Sequence, residues 1–343
     1  MSDEVVRAPL QDEPPIARQA SRGRRSRLSE VLFFAAKLLI SAACFWLVFR
    51  QVNVRDSLRT LPTIDYRWAA VAVLLVVAQI PLLALRVHAI VRALVRHRTR
   101  LTYPAAAAVT AIYALFAQVV PGLVGEGIRA WLLVRHGCNW LEGLTTVVID
   151  RSVGVGLLVA FSFVILLLPS PLNSLAGYHD AVLAGFGAAL AVGLATLIFA
   201  PRIASLLRLW RHSFWIAIVV DDTHRILLGR QGPAILIAAC LVHALSVVAV
   251  WAVGAALGLS LSAFDCAVLF VVMVGVAVVP ISVGGWGLRE FAVVSLLGAH
   301  GLPPERALLF SLCFGLVFVV VGLFGAIVLL FYPLPGREAP QPA

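Results

Sequence analysis

The sequence has little charge and almost no lysine. Of its 343 residues, 13% are Asp, Glu, Lys or Arg and 61% are hydrophobic. A soluble core of this size cannot hide that much apolar surface, which excludes an ordinary soluble domain and implies a polytopic membrane protein. Among the 27 basic residues Lys37 is the one lysine, and the arginines gather mostly in three connecting stretches. Arginines so placed read as topogenic residues facing anionic headgroups, so no nucleic-acid partner is expected. Cysteine is also scarce. Cys44, Cys138, Cys240, Cys266 and Cys313 have no metal-ligand spacing and read as small core residues. "DDTHR" at 221–225 is a single acidic pair with no nucleotide-binding domain around it. Neither a metal nor a cofactor is expected. No early apolar stretch marks a cleavable signal, and residues 1–30, polar and rich in Arg and Pro, read as a disordered basic cytoplasmic arm.

What is present is one apolar run after another. A crossing helix needs about 20 mostly apolar residues. Six stretches qualify, at 31–49, 68–85, 145–168, 181–200, 233–258 and 307–331, and two shorter ones lie at 105–120 and 264–279. Arg18 to Arg27 and Arg92 to Arg100 place the flanks of the first two spans on the cytoplasmic side, whereas 169–180 carries no Lys or Arg and belongs outside. An odd number of crossings must separate Arg100 from Pro169, yet two apolar stretches lie between them. The shorter is therefore expected to enter and return, and the same arithmetic holds for the later short stretch. The loop 50–67 opposes this topology, since it is assigned outside yet contains Arg50, Arg55, Arg59 and Arg67.

The expected fold is an all-α polytopic integral membrane protein of about six to eight transmembrane helices. The membrane domain runs over 31–332, with re-entrant hairpins at about 104–136 and 264–299 arranged as an inverted-topology repeat. A basic, aromatic segment at about 201–232 is expected on the inner surface, "PRIASLLRLWRHSFW" reading as one helix, and 333–343 as a short cytoplasmic tail.

Each short stretch ends in a similar sentence, "VVPGLVGEGIR" at 119–129 and "VVPISVGGWGLR" at 278–289. Pro121 and Pro280 interrupt a helix, and Gly125, Gly127, Gly284, Gly285 and Gly287 let backbone bend or come close to a ligand. Irregular backbone at membrane depth has to face protein or a watery cavity. The return helices are expected to start near Gly127 and Gly287, with Arg129 and Arg289 in their first turns, forming two opposed seats for an anionic headgroup. Intramembrane charge costs about 3 kcal/mol or more per residue, so Glu126, Arg129, Asp150, Arg151, Arg289 and Glu290 require an explanation. Their charges sum to zero. They serve either as ion pairs locking hairpins to spans, Asp150 with Arg129 and Arg151 with Glu126, or as a charge-coupled headgroup site. Asp150 and Arg151, being adjacent on a helix, diverge and cannot pair with each other. Arg86 either belongs to the same set or, the favoured alternative, snorkels to the headgroups, and His243 is expected to be a satisfied core residue.

"PGLVGEGIRAWLL", "TTVVIDRSVGV", "PISVGGWGLREFAVV" and "LPPERAL" together resemble the transmembrane region family of lysylphosphatidylglycerol synthases, over roughly 30–332. Many members have an acid a few residues after the arginine of the second motif, where this chain has Gly154. Only "PLPGREAPQPA" follows Tyr332, so the aminoacyl-transfer domain of the full synthases is expected to be absent. The resemblance implies lipid handling: a flippase-like protein of the bacterial inner membrane, with both termini cytoplasmic, acting on an anionic or polyprenyl-phosphate lipid. A transporter rather than an enzyme is expected. The rivals are a membrane-embedded glycosyl- or lipid-transferase using Asp150 or Glu290 as base, and a non-catalytic partner subunit of envelope assembly; a homodimer is compatible with each.

Overall fold

The computed structural model describes residues 39, 42–50, 64–95, 101–120, 122–168, 179–210, 213–278 and 285–333. The basic arm, most of the expected first span, the loops at 51–63 and 169–178, Pro121, Pro280, Gly284 and the tail from 334 lie outside the described residues.

Every regular element described is an α-helix. After a helical stretch at 42–50 come α1 (Tyr66–Val77) and α2 (Gln79–Val95), which together make a 30-residue apolar segment. The helix is interrupted at Ala78, because Pro81 has no N–H to give the carbonyl of Val77. Next is a short pair, α3 (Tyr103–Val119) and α4 (Gly122–Arg135). Thr102 caps α3, its hydroxyl accepting the Ala105 N–H at 3.4 Å. The long α5 (Trp140–Leu167) starts from a capping box in which Asn139 and Glu142 exchange bonds of 2.8 and 2.7 Å. Then come the long α6 (His179–Ile198), the short α7 (Ala200–Leu207) and α8 (Phe214–Leu227), and the long α9 (Gly232–Ala256). A second short pair, α10 (Ala263–Val278) and α11 (Leu288–Ala299), precedes α12 (Pro304–Phe331).

Among the described residues, five helices or helix pairs are long and apolar enough to cross a membrane, and they coincide with five of the six long stretches read from the sequence. The two short stretches become α3 and α10. The surface segment departs from expectation. Instead of one helix it is two, broken between Leu207 and Phe214, and α8 folds back so that Arg208 Nη2 lies 3.0 Å from Asp221 Oδ2. Asp222 pairs with Arg225, so both acids of "DDTHR" have arginine partners. Of the cysteines, Cys240 lies on an exposed helix face rather than in the core.

The helix pairs pack by exchange. α3 lies along α12, where a Cβ on Gly325 would fall 2.1 Å from the Ala111 carbonyl oxygen, so only glycine permits that approach. α10 in turn packs on α5, while α4 packs on α5 and α11 on α12. The first helix of each short pair thus lies on the long helix that follows the other pair. α2 and α9 pack together and meet α5. α6 has no buried residue, which leaves an apolar helix at the periphery.

Candidate functional site: an intramembrane chain of alternating charge

α3 and α4 double back on each other. Residues on either side of the break meet: Phe116 faces Gly125, and the Tyr113 hydroxyl donates to Glu126 Oε1 at 2.7 Å. This places Glu126 and Arg129 against α5, which carries Asp150 and Arg151. α2 adds Arg86 from the other side.

The five charges alternate along a line. Arg86 Nη2 lies 2.8 Å from Asp150 Oδ1 and donates to the Asp150 carbonyl oxygen at 2.5 Å. Asp150 Oδ2 lies 2.9 Å from Arg129 Nη2, and Arg129 Nη1 lies 3.7 Å from Glu126 Oε2. Glu126 Oε1 then pairs with Arg151, which also donates to the Tyr113 hydroxyl. The Tyr113 ring sits beneath both guanidiniums, with centroid distances of 5.0 Å to Arg129 and 5.6 Å to Arg151. Arg86, Arg129 and Asp150 are buried, whereas the Arg151 side chain is 51% exposed. Burial at this depth is tolerable because each inner charge has an opposite charge on either side.

The pairs Asp150 with Arg129 and Arg151 with Glu126 are those expected from the sequence, and Arg86 takes the less favoured of its two expected places, in the charged set. It does not snorkel: α2 continues past the apolar run to Val95, which carries Arg86 into the protein interior next to Asp150. Its inclusion changes the balance from zero to an excess of one positive charge in this cluster.

The second motif forms a separate cluster. Gly285 and Gly287 adopt φ of +81° and +85°, the left-handed conformation expected of glycines in this turn. α11 starts at Leu288, so Arg289 does lie in the first turn. Glu290, fully buried, accepts the Gly287 N–H at 2.6 Å with Oε2. Its Oε1 accepts from Arg289 Nε and Nη2 at 2.9 and 2.5 Å and from the Ser311 hydroxyl at 3.1 Å. Neighbouring residues pair here because Glu290 turns back to cap the helix start, a geometry closed to Asp150 and Arg151 within α5. The Arg289 guanidinium stacks 4.6 Å from the Trp286 ring and fills the space that a Cβ on Gly315 would take.

Two expectations are overturned. α4 begins at Gly122, not near Gly127, so Gly125 and Gly127 lie within the helix and Arg129 sits about two turns in. A residue there cannot share the helix's N-terminal dipole, whose influence is confined to the first turn. The start of α11 is no open anion seat either, because Glu290 already accepts its N-cap N–H. Among the described residues no ion pair joins the Arg129 cluster to the Arg289 cluster. Sequence reading overlooked Tyr113, Ser311 and Gly315, none of which stands out from apolar surroundings by charge or motif, and Trp286, which lies inside the second motif but carries no charge. His243 has the partner expected of it: Nε2 lies 3.2 Å from the Gly154 carbonyl oxygen, and its ring meets Phe270 at 5.5 Å.

Long apolar helices around a buried chain of ion pairs define a multi-pass membrane protein with a polar interior. This chain belongs to the lysylphosphatidylglycerol synthase TM region family, whose profile matches residues 34–332 and which points to a lipid-related role. No curated protein matches the chain.

Proposed function

We propose that the protein is a flippase-like translocator of a lipid with an anionic headgroup, a polyprenyl phosphate included, in a bacterial inner membrane. The observation that supports this reading best is the charge chain itself: five ionised side chains between apolar helices, with an arginine at each end and one cation in excess. Locking helices together requires only balanced pairs, whereas an excess cation attracts an anion. Intramembrane ionisable residues that face a bundle interior are typical of transport pathways.

The proposed topology keeps the two re-entrant hairpins. α4 and α11, at 14 and 12 residues, extend about 21 and 18 Å at 1.5 Å per residue, well under a hydrocarbon core of about 30 Å. The exchange of packing partners between the short pairs fits an inverted repeat with both termini in the cytoplasm. Cysteines introduced singly at positions 102, 137, 173 and 300 test it: 102 and 137 should label from the cytoplasmic side, and 173 and 300 from the other. Labelling of 102 and 137 from opposite sides refutes the first hairpin.

Arg129→Ala or Arg289→Ala is expected to abolish headgroup translocation in proteoliposomes while the protein is still inserted. Translocation at the wild-type rate in both variants removes the proposed roles. A membrane-embedded transferase using Asp150 or Glu290 as base is less well supported, since each carboxylate is held by arginine in an ion pair.

A further inference from the structure

We infer that the seam between α2, α5 and α9 beside Gly154 is a seat for one phosphate-type oxyanion, held by the buried end of the charge chain at Arg86. The inference deepens the lipid-translocation reading and rests on it for the source of the anion.

Charge count is the first argument. Arg86, Arg129 and Arg151 face Glu126 and Asp150, and among the described residues no third carboxylate pairs with any of them. One positive charge is left over; Arg151 at the exposed end of the chain is open to solvent or headgroups, whereas Arg86 at the buried end shares its single carboxylate with Arg129 and is the least compensated buried cation. The second argument is unused hydrogen-bonding capacity. Arg86, with only 4% of its surface exposed, has an Nε–H with no acceptor. Two turns earlier on α2, the buried Gln79 Nε2 also lacks an acceptor, while its Oε1 is engaged by the Ser246 hydroxyl at 3.3 Å. Of the three side-chain nitrogens on this helix left without a partner, Gln79 Nε2 and Arg86 Nε are donors and only His88 Nδ1 can accept, so the missing ligand is rich in acceptors. Buried donors left without partners are costly, and one oxyanion relieves them.

Space is the third argument. A Cβ on Gly154 would meet just one neighbouring atom within 4 Å, Arg86 Nη2 at 3.7 Å. The α5 backbone beside Arg86 is therefore open, with His243 of α9 on its carbonyl. Gly154 and His243 both lie near the middle of their long helices, at the depth where transporters hold substrate.

The proposal makes Gly154 the position at which a side-chain carboxylate would replace the ligand. Wild type, Gly154→Asp and Gly154→Asn, purified in maltoside micelles, are titrated by calorimetry with short-chain phosphatidylglycerol, inorganic phosphate and short-chain diacylglycerol. Wild type is expected to bind at least one of the two phosphates and to bind diacylglycerol at least tenfold more weakly. Gly154→Asp should bind the anion roughly tenfold to a hundredfold more weakly than Gly154→Asn, which fills the same space without the charge, as expected for one lost charge-assisted hydrogen bond. A preference for phosphatidylglycerol identifies a headgroup as the source, and a preference for inorganic phosphate identifies the free anion. Equal binding by wild type and Gly154→Asp, or equal loss in Gly154→Asp and Gly154→Asn, overturns the proposal. Should Gly154→Asp not fold, the wild-type comparison decides: equal affinity for phosphatidylglycerol and diacylglycerol, or no binding of either phosphate, is the negative result. Translocation by the same proteins separates the two readings. Anion binding at this seat without lipid translocation removes the flippase reading alone, and translocation indifferent to Gly154→Asp removes the seat alone.

Discussion

Replacing Asp150 by Asn keeps the side chain's shape and removes the negative charge that lies 2.8 Å from Arg86 Nη2 and 2.9 Å from Arg129 Nη2. Both guanidiniums are almost fully buried, at 4% and 3% exposed. Arg129 would keep only Glu126, at 3.7 Å, and Arg86 would keep only the neutral 150 carbonyl. Breaking a buried ion pair by removing one partner costs about 3–5 kcal/mol. Two cations lose their partner here, so the upper end, about 5 kcal/mol, is expected, which corresponds to a fall in melting temperature on the order of 10 °C. The assay is thermal unfolding in micelles for wild type, Asp150→Asn, Arg86→Met and the double variant. Removing Arg86 also removes one of the stranded cations, so the cycle should show a coupling of at least about 2 kcal/mol. A melting temperature for Asp150→Asn within about 2 °C of wild type, or a coupling near zero, would falsify the argument that this carboxylate holds the chain of charges together.

Gly315→Ala puts a methyl 2.3 Å from Arg289 Nη2 and 2.8 Å from the Trp286 ring, forcing the guanidinium away from Glu290. A loss of about 1–3 kcal/mol is expected in thermal unfolding, whereas Gly322→Ala on the same helix, whose nearest neighbours lie at 3.5 Å, should cost no more than about 0.5 kcal/mol. Comparable melting of the two variants would contradict the assigned contact. Cys138 lies in the turn between α4 and α5, and burial, with the Glu142 charge adding to it, pushes its thiol up to about 12. Because a raised thiol pKa leaves the group neutral at every lower pH, maleimide should barely label Cys138 near neutral pH until the protein is denatured. Labelling of the folded protein at the rate of a free thiol would contradict that burial.

The long apolar runs at 145–168, 181–200, 233–258 and 307–331 needed no tertiary information to be read as helices, because each is long enough to cross a bilayer by itself. The pairings of Asp150 with Arg129 and Arg151 with Glu126 were also legible, since adjacent residues in a helix interior point apart and must find partners elsewhere. Arg86 was not. Its apolar run ends at Leu85, and only the continuation of α2 against α5 shows that the arginine turns inward rather than toward headgroups. The start of α4 at Gly122 was equally hidden: glycine permits both a bend and a helix, and packing beside Phe116 and Val120 selected the helix at Gly125. The partnership of Arg289 with its own neighbour depended on Glu290 folding back over a helix start, and the room for it on a glycine 26 positions away at Gly315. By itself, then, the sequence determined that the chain is a bundle of membrane helices with charges it must hide, because hydropathy and helical periodicity act over one turn or one span. Tertiary structure alone decided that Arg86 joins the chain of charges, that Arg289 pairs with its own neighbour and where one charge is left over, because Coulomb pairing depends on distances of a few ångströms between groups whose approach the folded chain sets.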